Sequence, residues 1–243
     1  MSWDQRQRAM LAEMGLRVWD SPSAAVSASP EPVVATVVLK PPVKLEPVLQ
    51  ELQSGPLDWA GLQQSVASCQ ACPLGATRKN PVFGVGSPGA HWLVVGEAPD
   101  EQEDLQGLPF VGQPGQLLDN MLRALGVSRS GETAAKQAFV TSILKCRSQR
   151  NPQAVELAQC EPYLARQIEL VQPRIILAMG RFAVQSLLRS NEPIGRLRGQ
   201  VHQYQGRPLI VTYHPVYLLK HPSEKAGAWE DLCLALQTLQ SAQ

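Results

Sequence analysis

Four cysteines stand at positions that could converge on one metal site. Cys69 and Cys72 form a C-x2-C pair followed by Pro73, and Cys146 and Cys160 come much later in the chain. A two-residue spacing lets neighbouring thiolates bind one site, provided that the fold brings in the distant pair. Zinc accepts four cysteines in a tetrahedral structural site, and a [4Fe–4S] cluster accepts the same four thiolates. The spacing favours a metal site over four free thiols and leaves both metals open.

Composition limits the class of protein. The chain has 243 residues, of which 44% are hydrophobic and 18% charged, which is enough apolar content for one sizeable core. Five cysteines in a chain without an apolar leader favour cytosolic thiols or metal ligands over a disulfide framework. No apolar run approaches the roughly 20 residues that a membrane-spanning helix needs. We therefore expect a cytoplasmic protein with no membrane segment.

The charges are nearly balanced overall but unevenly distributed. There are 22 Lys and Arg against 21 Asp and Glu. Residues 1–110 hold 7 basic and 12 acidic side chains, whereas residues 111–243 hold 15 basic and 9 acidic ones. No overall basic field attracts the chain to nucleic acid. Any nucleic-acid contact is therefore expected from local asymmetry in the C-terminal half.

The N-terminal segment differs in composition from the rest. Residues 3–19 carry Trp3, Met10, Met14 and Trp19 among charged side chains, and a Pro-, Ser-, Ala- and Val-rich linker follows. Such a segment is either a frayed tail or a peptide that orders on a partner, and two tryptophans favour the peptide. We therefore divide the chain into a docking peptide plus linker over residues 1–55 and a folded domain over residues 56–243.

Beyond the linker, apolar strand patterns alternate with helical ones. Near-continuous apolar strands of this kind are typical of a parallel sheet covered on both faces, so the predicted fold class is α/β. We expect Pro162 to kink or divide the helix that starts near Asn151. The strands are predicted at 91–96, 138–145, 174–179 and 208–212. The last helix is predicted from near Ser223, with a core face formed by Trp229, Leu232, Leu236 and Leu239.

Two loops at predicted strand ends carry unusual polar residues. The sequence GEAPDEQED follows Val95, and YHPVYLLKHP follows Thr212. In parallel sheets, ligands bind beyond the carboxyl ends of the strands. These two loops are therefore the candidates for the functional site.

Taken in order, five stretches resemble the family 4 uracil-DNA glycosylases, the iron–sulfur branch of that superfamily. The resemblance covers about residues 56–243. It implies a [4Fe–4S] cluster rather than zinc, held by the four cysteines, and a three-layer α/β/α fold with a four-stranded, mainly parallel sheet. The stretches are Cys69/Cys72, Gly96-Glu-Ala-Pro99 with Glu103-Asp104, Pro109-Phe-Val-Gly112 with Gly115, Lys145-Cys-Arg147 with Cys160, and Tyr213-His-Pro215 with Leu218-Leu219-Lys220.

The resemblance implies that the protein removes uracil from DNA by extruding the nucleotide into a pocket. Phe110 is then the face on which the base stacks, and His214 donates to the oxygen where negative charge develops. The backbone of Gly96 and Ala98 holds the base edge, and Lys220 lies near phosphate. We expect an open slot, with the phenyl ring beneath the base and the imidazole beside it.

Three carboxylates are candidates for positioning the attacking water: Glu97, Asp104 and Asp100. Each candidate in the site also has a plainer interpretation. Phe110 could be a core residue, His214 a loop histidine, and Glu97 a carboxylate that caps a turn. The joint order of the five stretches favours the functional interpretation for Phe110 and His214 more than for Glu97.

The base pocket departs from the family at two positions. Ser142 stands where the family has an asparagine whose amide reads the uracil edge, and a hydroxyl cannot offer a donor and an acceptor on one fixed plane. Asp100 stands where the family has glycine, which puts a carboxylate beside a leaving anion. The loop after Cys146 is also shorter than in the family, which weakens the expectation of DNA contacts there.

These departures support an alternative function. Residues 3–19 are weakly similar to the start of the psi subunit of bacterial DNA polymerase III clamp loaders, which docks through an N-terminal peptide. The alternative is a catalytically degenerate glycosylase scaffold that binds clamp-loader or other replication proteins through residues 1–19. Uracil-containing DNA remains the first expected partner.

Overall fold

The structure is a computed structural model and describes residues 57–241. Five strands form one sheet: β1 (Trp92–Gly96), β2 (Ala138–Ser142), β3 (Ile175–Met179), β4 (Val201–Tyr204) and β5 (Arg207–Thr212). Their order across the sheet is β2-β1-β3-β5-β4. The four predicted strands are all present and parallel to one another, which confirms the α/β class.

The fifth strand was not predicted, so the expected count of four is wrong. β4 pairs with β5 in antiparallel orientation, and the two are joined by a turn whose central residues, Gln205 and Gly206, have positive φ angles of 49° and 76°. Two positive φ angles are typical of the tight turn that joins hairpin strands. β4 lies at the sheet edge and is half exposed, so it lacks the apolar run that marks the other four strands.

Helices cover both faces of the sheet. Short 3₁₀ turns occur at Ala134–Lys136 and Pro222–Glu224. The helices are α1 (Trp59–Ser68), α2 (Leu74–Thr77), α3 (Glu101–Gln106), α4 (Gly112–Ala124), α5 (Ala154–Val171), α6 (Arg181–Leu188), α7 (Ile194–Leu197), α8 (Pro215–Lys220) and α9 (Lys225–Ser241).

Alternating side chains of the strands build two separate cores. Leu93 and Val95 face the layer that contains α1, α5 and α6. Trp92 and Val94 face the opposite layer, which contains α4 and α9. All four side chains are fully buried, as expected for a strand covered on both faces. The three-layer arrangement predicted from the sequence is thus confirmed.

Helix α5 keeps its continuity across Pro162, contrary to the expectation that proline would divide it. Buried residues on both sides of the proline, including Cys160 and Leu164, hold the two halves against the same core. The helix ends at Val171, because Gln172 adopts a left-handed conformation and Pro173 cannot continue the helix.

The core face of α9 is displaced by one residue from its predicted position. Leu232 and Leu239 are buried as expected, but Trp229 is 45% exposed. Ala228, which precedes it, is buried instead, so the apolar stripe is centred on Ala228 and Leu232. The predicted docking peptide and linker, residues 1–55, lie outside the described residues. Within residues 57–241, no helix has the length and apolarity needed to cross a bilayer.

Candidate active site and cysteine group

The carboxyl ends of β1 and β2 form the floor of the candidate site. Gly96 and Ser142 pair directly across these two strands, and the Ile143 N–H donates to the Gly96 carbonyl at 3.1 Å. A Cβ atom on residue 96 would lie only 2.5 Å from Cζ of Phe110. Gly96 therefore permits the phenyl ring to lie directly against the strand end.

Phe110 is held in an unusual backbone conformation. Its φ angle is 52°, in the left-handed region that non-glycine residues seldom adopt. Its N–H donates to Oε1 of Glu103, and its carbonyl accepts from Nη2 of Arg129 at 2.9 Å. Arg129 also donates to the Pro109 carbonyl and to Asp119, both at 2.8 Å. Two charged side chains thus fix the Phe110 backbone from both sides.

Glu103 connects Phe110 to the loop after β1. Its Oε2 accepts from the Asp100 N–H at 2.6 Å, while Oδ1 of Asp100 accepts from the Glu103 N–H at 2.9 Å. This reciprocal pair caps the start of α3. Burial raises the pKa of the Glu103 carboxyl, and the hydrogen bonds from Asp100 and Phe110 oppose that rise. The Asp100 carboxylate therefore serves as a helix cap in this structure.

The sequence assigned no role to Glu103 or Arg129. The D-x-x-E pattern from Asp100 to Glu103 could have indicated the helix cap. Nothing local to Arg129 indicates that it binds a carbonyl 19 positions away in the chain.

His214 is positioned by the start of α8. The Val216 N–H donates to Nδ1 of His214 at 3.3 Å. Because a backbone N–H can only donate, Nδ1 is the acceptor and the neutral ring carries its proton on Nε2. Nε2 faces the end of β1, since it would lie 3.6 Å from a Cβ atom on Gly96. Burial lowers the pKa of His214 to about 4, and the nearby charge of Asp100 offsets part of this effect.

The structure brings Phe110 and His214 together, as the sequence predicted. Their ring centroids lie 5.1 Å apart with an interplanar angle of 26°, which is a stacked arrangement. Only 4% of Phe110 is exposed. The expected open slot is therefore covered in this structure by the imidazole itself, because two flat rings bury more apolar surface when stacked than when apart.

Glu97 lines the same cavity as His214. Its Oε1 accepts from the Phe182 N–H at 2.9 Å, and burial raises the pKa of this carboxyl. A cavity of about 520 Å³ adjoins it, and its lining includes Arg181, His214 and Tyr217. Glu97 is thus near the candidate base pocket, although one of its two oxygens caps the start of α6.

The remaining predicted residues occupy different environments. Asp104 is 1% exposed, and its carboxylate accepts from the N–H groups of Lys79 and Asn80 at 2.9–3.3 Å. This carboxylate anchors a loop, which gives no support to a role in positioning water. Ala98 packs against the core on the α5 side. Lys220 is exposed in the last turn of α8.

Ser142 is buried at the end of β2, with 3% of its surface exposed. Its carbonyl accepts from Nζ of Lys145 at 2.8 Å. The same ammonium group donates to Thr141 Oγ1 and Gln167 Oε1, both at 2.7 Å. Burial lowers the pKa of Lys145 to about 7. The end of β2 is therefore held by a buried lysine next to the third cysteine.

The four predicted cysteines form one electrostatically coupled group. The charges of Cys69 and Cys72 act on the pKa of Cys146, and those of Cys72 and Cys146 act on Cys160. Burial raises the pKa of Cys72, Cys146 and Cys160, in the last case to about 12. In residues 57–241, no three or more His, Cys, Asp or Glu side chains are close enough to hold a single metal ion.

Arg78 connects the two halves of this cysteine group. Its Nη1 donates to Sγ of Cys146 at 3.2 Å, and its Nη2 donates to the Cys69 carbonyl at 3.1 Å. It also binds the carbonyls of Val66 and Ala67 at the end of α1. Arg78 thus holds the C-x2-C segment against the residue that follows β2.

Comparison with known proteins identifies this arrangement. The family model described as "Uracil DNA glycosylase superfamily" matches residues 83–234, which include β1, Phe110, Ser142 and His214. The chain belongs to the uracil-DNA glycosylase superfamily. Within that superfamily, it is similar to the type-4 enzymes.

Three of these uracil-DNA glycosylase relatives illustrate the similarity. The type-4 uracil-DNA glycosylase of Pyrobaculum aerophilum is 37% identical over 190 residues, covering 73% of this chain and 93% of the relative. That of Saccharolobus solfataricus is 37% identical over 191 residues, covering 74% and 86%. That of Thermotoga maritima is 35% identical over 168 residues, covering 68% and 84%.

Proposed function

We propose that this protein is a uracil-DNA glycosylase that hydrolyses the N-glycosidic bond of deoxyuridine in DNA. The observation that carries the proposal is the convergence of Gly96, Phe110 and the Nε2 atom of His214 at the carboxyl end of β1. The similarity to type-4 uracil-DNA glycosylases supports the same activity. Because DNA is the proposed substrate, we place the protein in the cytoplasm.

His214 has the protonation state that this reaction requires. When the glycosidic bond breaks, uracil leaves with the bonding electrons, and negative charge develops on its carbonyl oxygens. A neutral imidazole that carries its proton on Nε2 donates a hydrogen bond to such an oxygen without first losing a proton. Its lowered pKa keeps His214 neutral at pH 7. A water molecule then adds its oxygen to the anomeric carbon of the sugar, and the proton that it loses neutralises the uracil anion.

Binding of uracil requires the two rings to separate. The imidazole lies on the phenyl face on which the base would stack, with the two ring centroids 5.1 Å apart. We propose that the imidazole moves off the phenyl face as the nucleotide enters, while the clamped Phe110 backbone stays in place. Stacking on Phe110 then contributes about 1–3 kcal/mol.

Ser142 and Asp100 weaken the binding of uracil, but the pocket keeps Phe110 and His214. Loss of one hydrogen bond to the uracil edge at Ser142 costs about 1–3 kcal/mol. Asp100 uses its carboxylate to cap α3, which limits its repulsion of the leaving anion. We therefore propose a glycosylase with a reduced capacity to read the uracil edge.

We also propose that Cys69, Cys72, Cys146 and Cys160 hold a [4Fe–4S] cluster. Electrostatic interactions link Cys69 and Cys72 to Cys146, and Cys72 and Cys146 to Cys160, and a cluster offers four iron atoms to four sulfurs. The cluster supplies a structural crosslink between the C-x2-C segment, the end of β2 and helix α5. The runner-up, zinc, needs four sulfurs at about 2.3 Å from one metal atom.

The glycosylase proposal is tested by incubating the purified full chain with a uracil-containing oligonucleotide. Release of free uracil is measured on single and double strands, with a thymine-containing oligonucleotide as the control. Phe110→Ala should lower the rate about 5- to 100-fold, and His214→Gln about 100- to 1,000-fold. No release above the thymine control, even at high enzyme concentration, would overturn the proposal.

The cluster proposal is tested by spectroscopy and metal analysis of the protein as purified. We expect a brown protein with broad visible absorbance, matching iron and sulfide contents, and bleaching when iron is removed. A colourless preparation that contains stoichiometric zinc contradicts the cluster and supports the runner-up.

The similarity to type-4 uracil-DNA glycosylases does not favour the second candidate function, but a binding experiment tests it directly. A scaffold whose pocket is closed by His214, and whose reading position holds Ser142, could bind replication proteins instead of uracil. In that case residues 1–19 should dock on a clamp-loader subassembly. A peptide of residues 1–25 tests this in a pull-down, with a peptide carrying Trp3→Ala and Trp19→Ala as the matched control. Equal retention of both peptides, or retention of neither, refutes this candidate.

A further inference from the structure

Three aromatic side chains form a stack on the outer surface of α8. The rings of Tyr213 and Tyr217 lie with centroids 5.0 Å apart at an interplanar angle of 25°. The rings of Tyr217 and His221 follow at 4.3 Å and 34°. The three residues stand four apart in the chain, so each ring covers the next. We call them the aromatic ladder.

The ladder is not needed to bury the core. Helix α8 packs inward through Pro215 and Leu218, which are both buried. Its outer side leaves Tyr217 40% exposed, and Val216 and Leu219 are each 37% exposed. A six-residue helix that places large apolar groups in solvent on most of its surface is typical of a binding surface.

The ladder begins where the candidate base pocket ends. His214, which stacks on Phe110, is also the residue that caps the start of α8. The cavity of about 520 Å³ beside His214 is lined by Tyr213 and Tyr217 as well as by Glu97. A DNA strand that delivers its nucleotide to the pocket therefore passes the ladder within one or two nucleotides.

The two ends of the ladder differ. Tyr213 is fixed, because the Arg198 guanidinium lies 5.8 Å from its ring centroid on one side and Tyr217 stacks on the other. His221 is exposed, and one face of its ring is covered by Tyr217. The basic side chains of Lys220 and Lys225 lie close to it in the chain. The open end of the stack is thus the uncovered face of an exposed imidazole, whereas the closed end at Tyr213 interacts with the Glu224 carboxylate.

We propose that His221, supported by Tyr217 and Tyr213, is a stacking subsite for an unpaired base that flanks the extruded nucleotide. Aromatic faces next to basic groups are the elements by which proteins bind single strands without reading their sequence. A paired base is already stacked on its neighbours, so the subsite favours single-stranded over double-stranded DNA. The inference rests on the proposed function for the identity of the strand, but the stacking itself needs no catalysis.

The test uses the full-length protein and a single-stranded oligonucleotide with a central abasic analogue, which is not turned over. A 2-aminopurine base, whose fluorescence is quenched by stacking, is placed in turn at each flanking position. We expect quenching at one flanking position. His221→Ala should abolish it and weaken binding about 5- to 100-fold, whereas His221→Phe should retain both. Val201→Ala, at the distant sheet edge and also exposed, is the matched control.

Three results overturn the subsite: equal quenching by wild type and His221→Ala, equal loss in His221→Ala and His221→Phe, or equal affinity for single strands and for a duplex. Melting temperatures identify any variant that has lost its fold, and Tyr217→Leu provides a second way to disrupt the ladder. Uracil release by the wild type is measured separately. Its absence refutes the glycosylase proposal and leaves the stacking result to be judged by itself.

Discussion

Arg129 lies 19 positions from Phe110 in the chain and helps to fix its backbone. We therefore predict that Arg129 affects the rate of uracil release. Arg129→Met removes the hydrogen bonds to the carbonyls of Pro109 and Phe110 and the ion pair with Asp119. Each hydrogen bond from a charged donor is worth about 1.5–3 kcal/mol. The ion pair is partly exposed and adds at most about 1 kcal/mol. We therefore expect a loss of about 3–7 kcal/mol in the free energy of unfolding.

The effect on activity follows from the left-handed backbone of Phe110. Such a conformation costs about 1–3 kcal/mol and persists only where the surroundings enforce it. Without the arginine, the backbone can relax and carry the ring off the end of β1. If about 1.4 kcal/mol of that strain is released, the competent arrangement becomes tenfold less populated. We expect the single-turnover rate of uracil release to fall about tenfold at a temperature where the variant is folded.

Arg123→Met is the matched control, because Arg123 is exposed and binds only the neighbouring Asn120 side chain among the described residues. Arg129→Lys should recover part of the rate, since a lysine can replace one of the carbonyl contacts. If Arg129→Met lowers the melting temperature but releases uracil as fast as Arg123→Met, then Arg129 is merely structural and the clamp argument fails.

Three further predictions concern other parts of the site. Ser142→Asn should raise uracil release about 5- to 100-fold by restoring a donor and an acceptor, and no gain over Ser142→Ala would contradict this. Because the pKa of His214 is lowered to about 4, NMR should find it neutral at pH 6.5. Its contribution to stability should fall as pH drops from 6.5 towards 4, by at most about 1.4 kcal/mol per pH unit, and titration near 6.5 would refute the burial argument. Cys160→Ser should lose visible absorbance, whereas Cys233→Ser should keep it.

The parts of the fold that were predicted correctly are those specified by local pattern. β1, β3 and β5 contain apolar runs that are buried on both faces, and such runs are recognisable without knowing their neighbours. β4 is defined instead by its pairing with β5 and by two positive φ angles in the turn between them. An exposed edge strand has little apolar content, so its sequence resembles that of a loop.

The same distinction applies to the site. Phe110 and His214 were identified because they stand in recognisable stretches, and the structure brings their rings into contact. The roles of Glu103 and Arg129 were not predicted, because each residue acts through its contact with the Phe110 backbone. A buried carboxylate that accepts from the Phe110 N–H is visible only once the chain has folded. The covering of Phe110 by His214 was missed for the same reason, since two distant segments create it.

The position of Lys145 explains how a structural cluster can affect a pocket that it does not touch. Its Nζ binds the Ser142 carbonyl and the Thr141 hydroxyl at the end of β2, and the next residue is Cys146, which we propose as a cluster ligand. Gln167 of α5 completes the set of acceptors, so the lysine ties β2 to the helix that carries Cys160. A cluster that fixes Cys146 and Cys160 therefore fixes both elements that hold Lys145. The cluster therefore influences the pocket indirectly, because it determines where the end of β2 places Ser142.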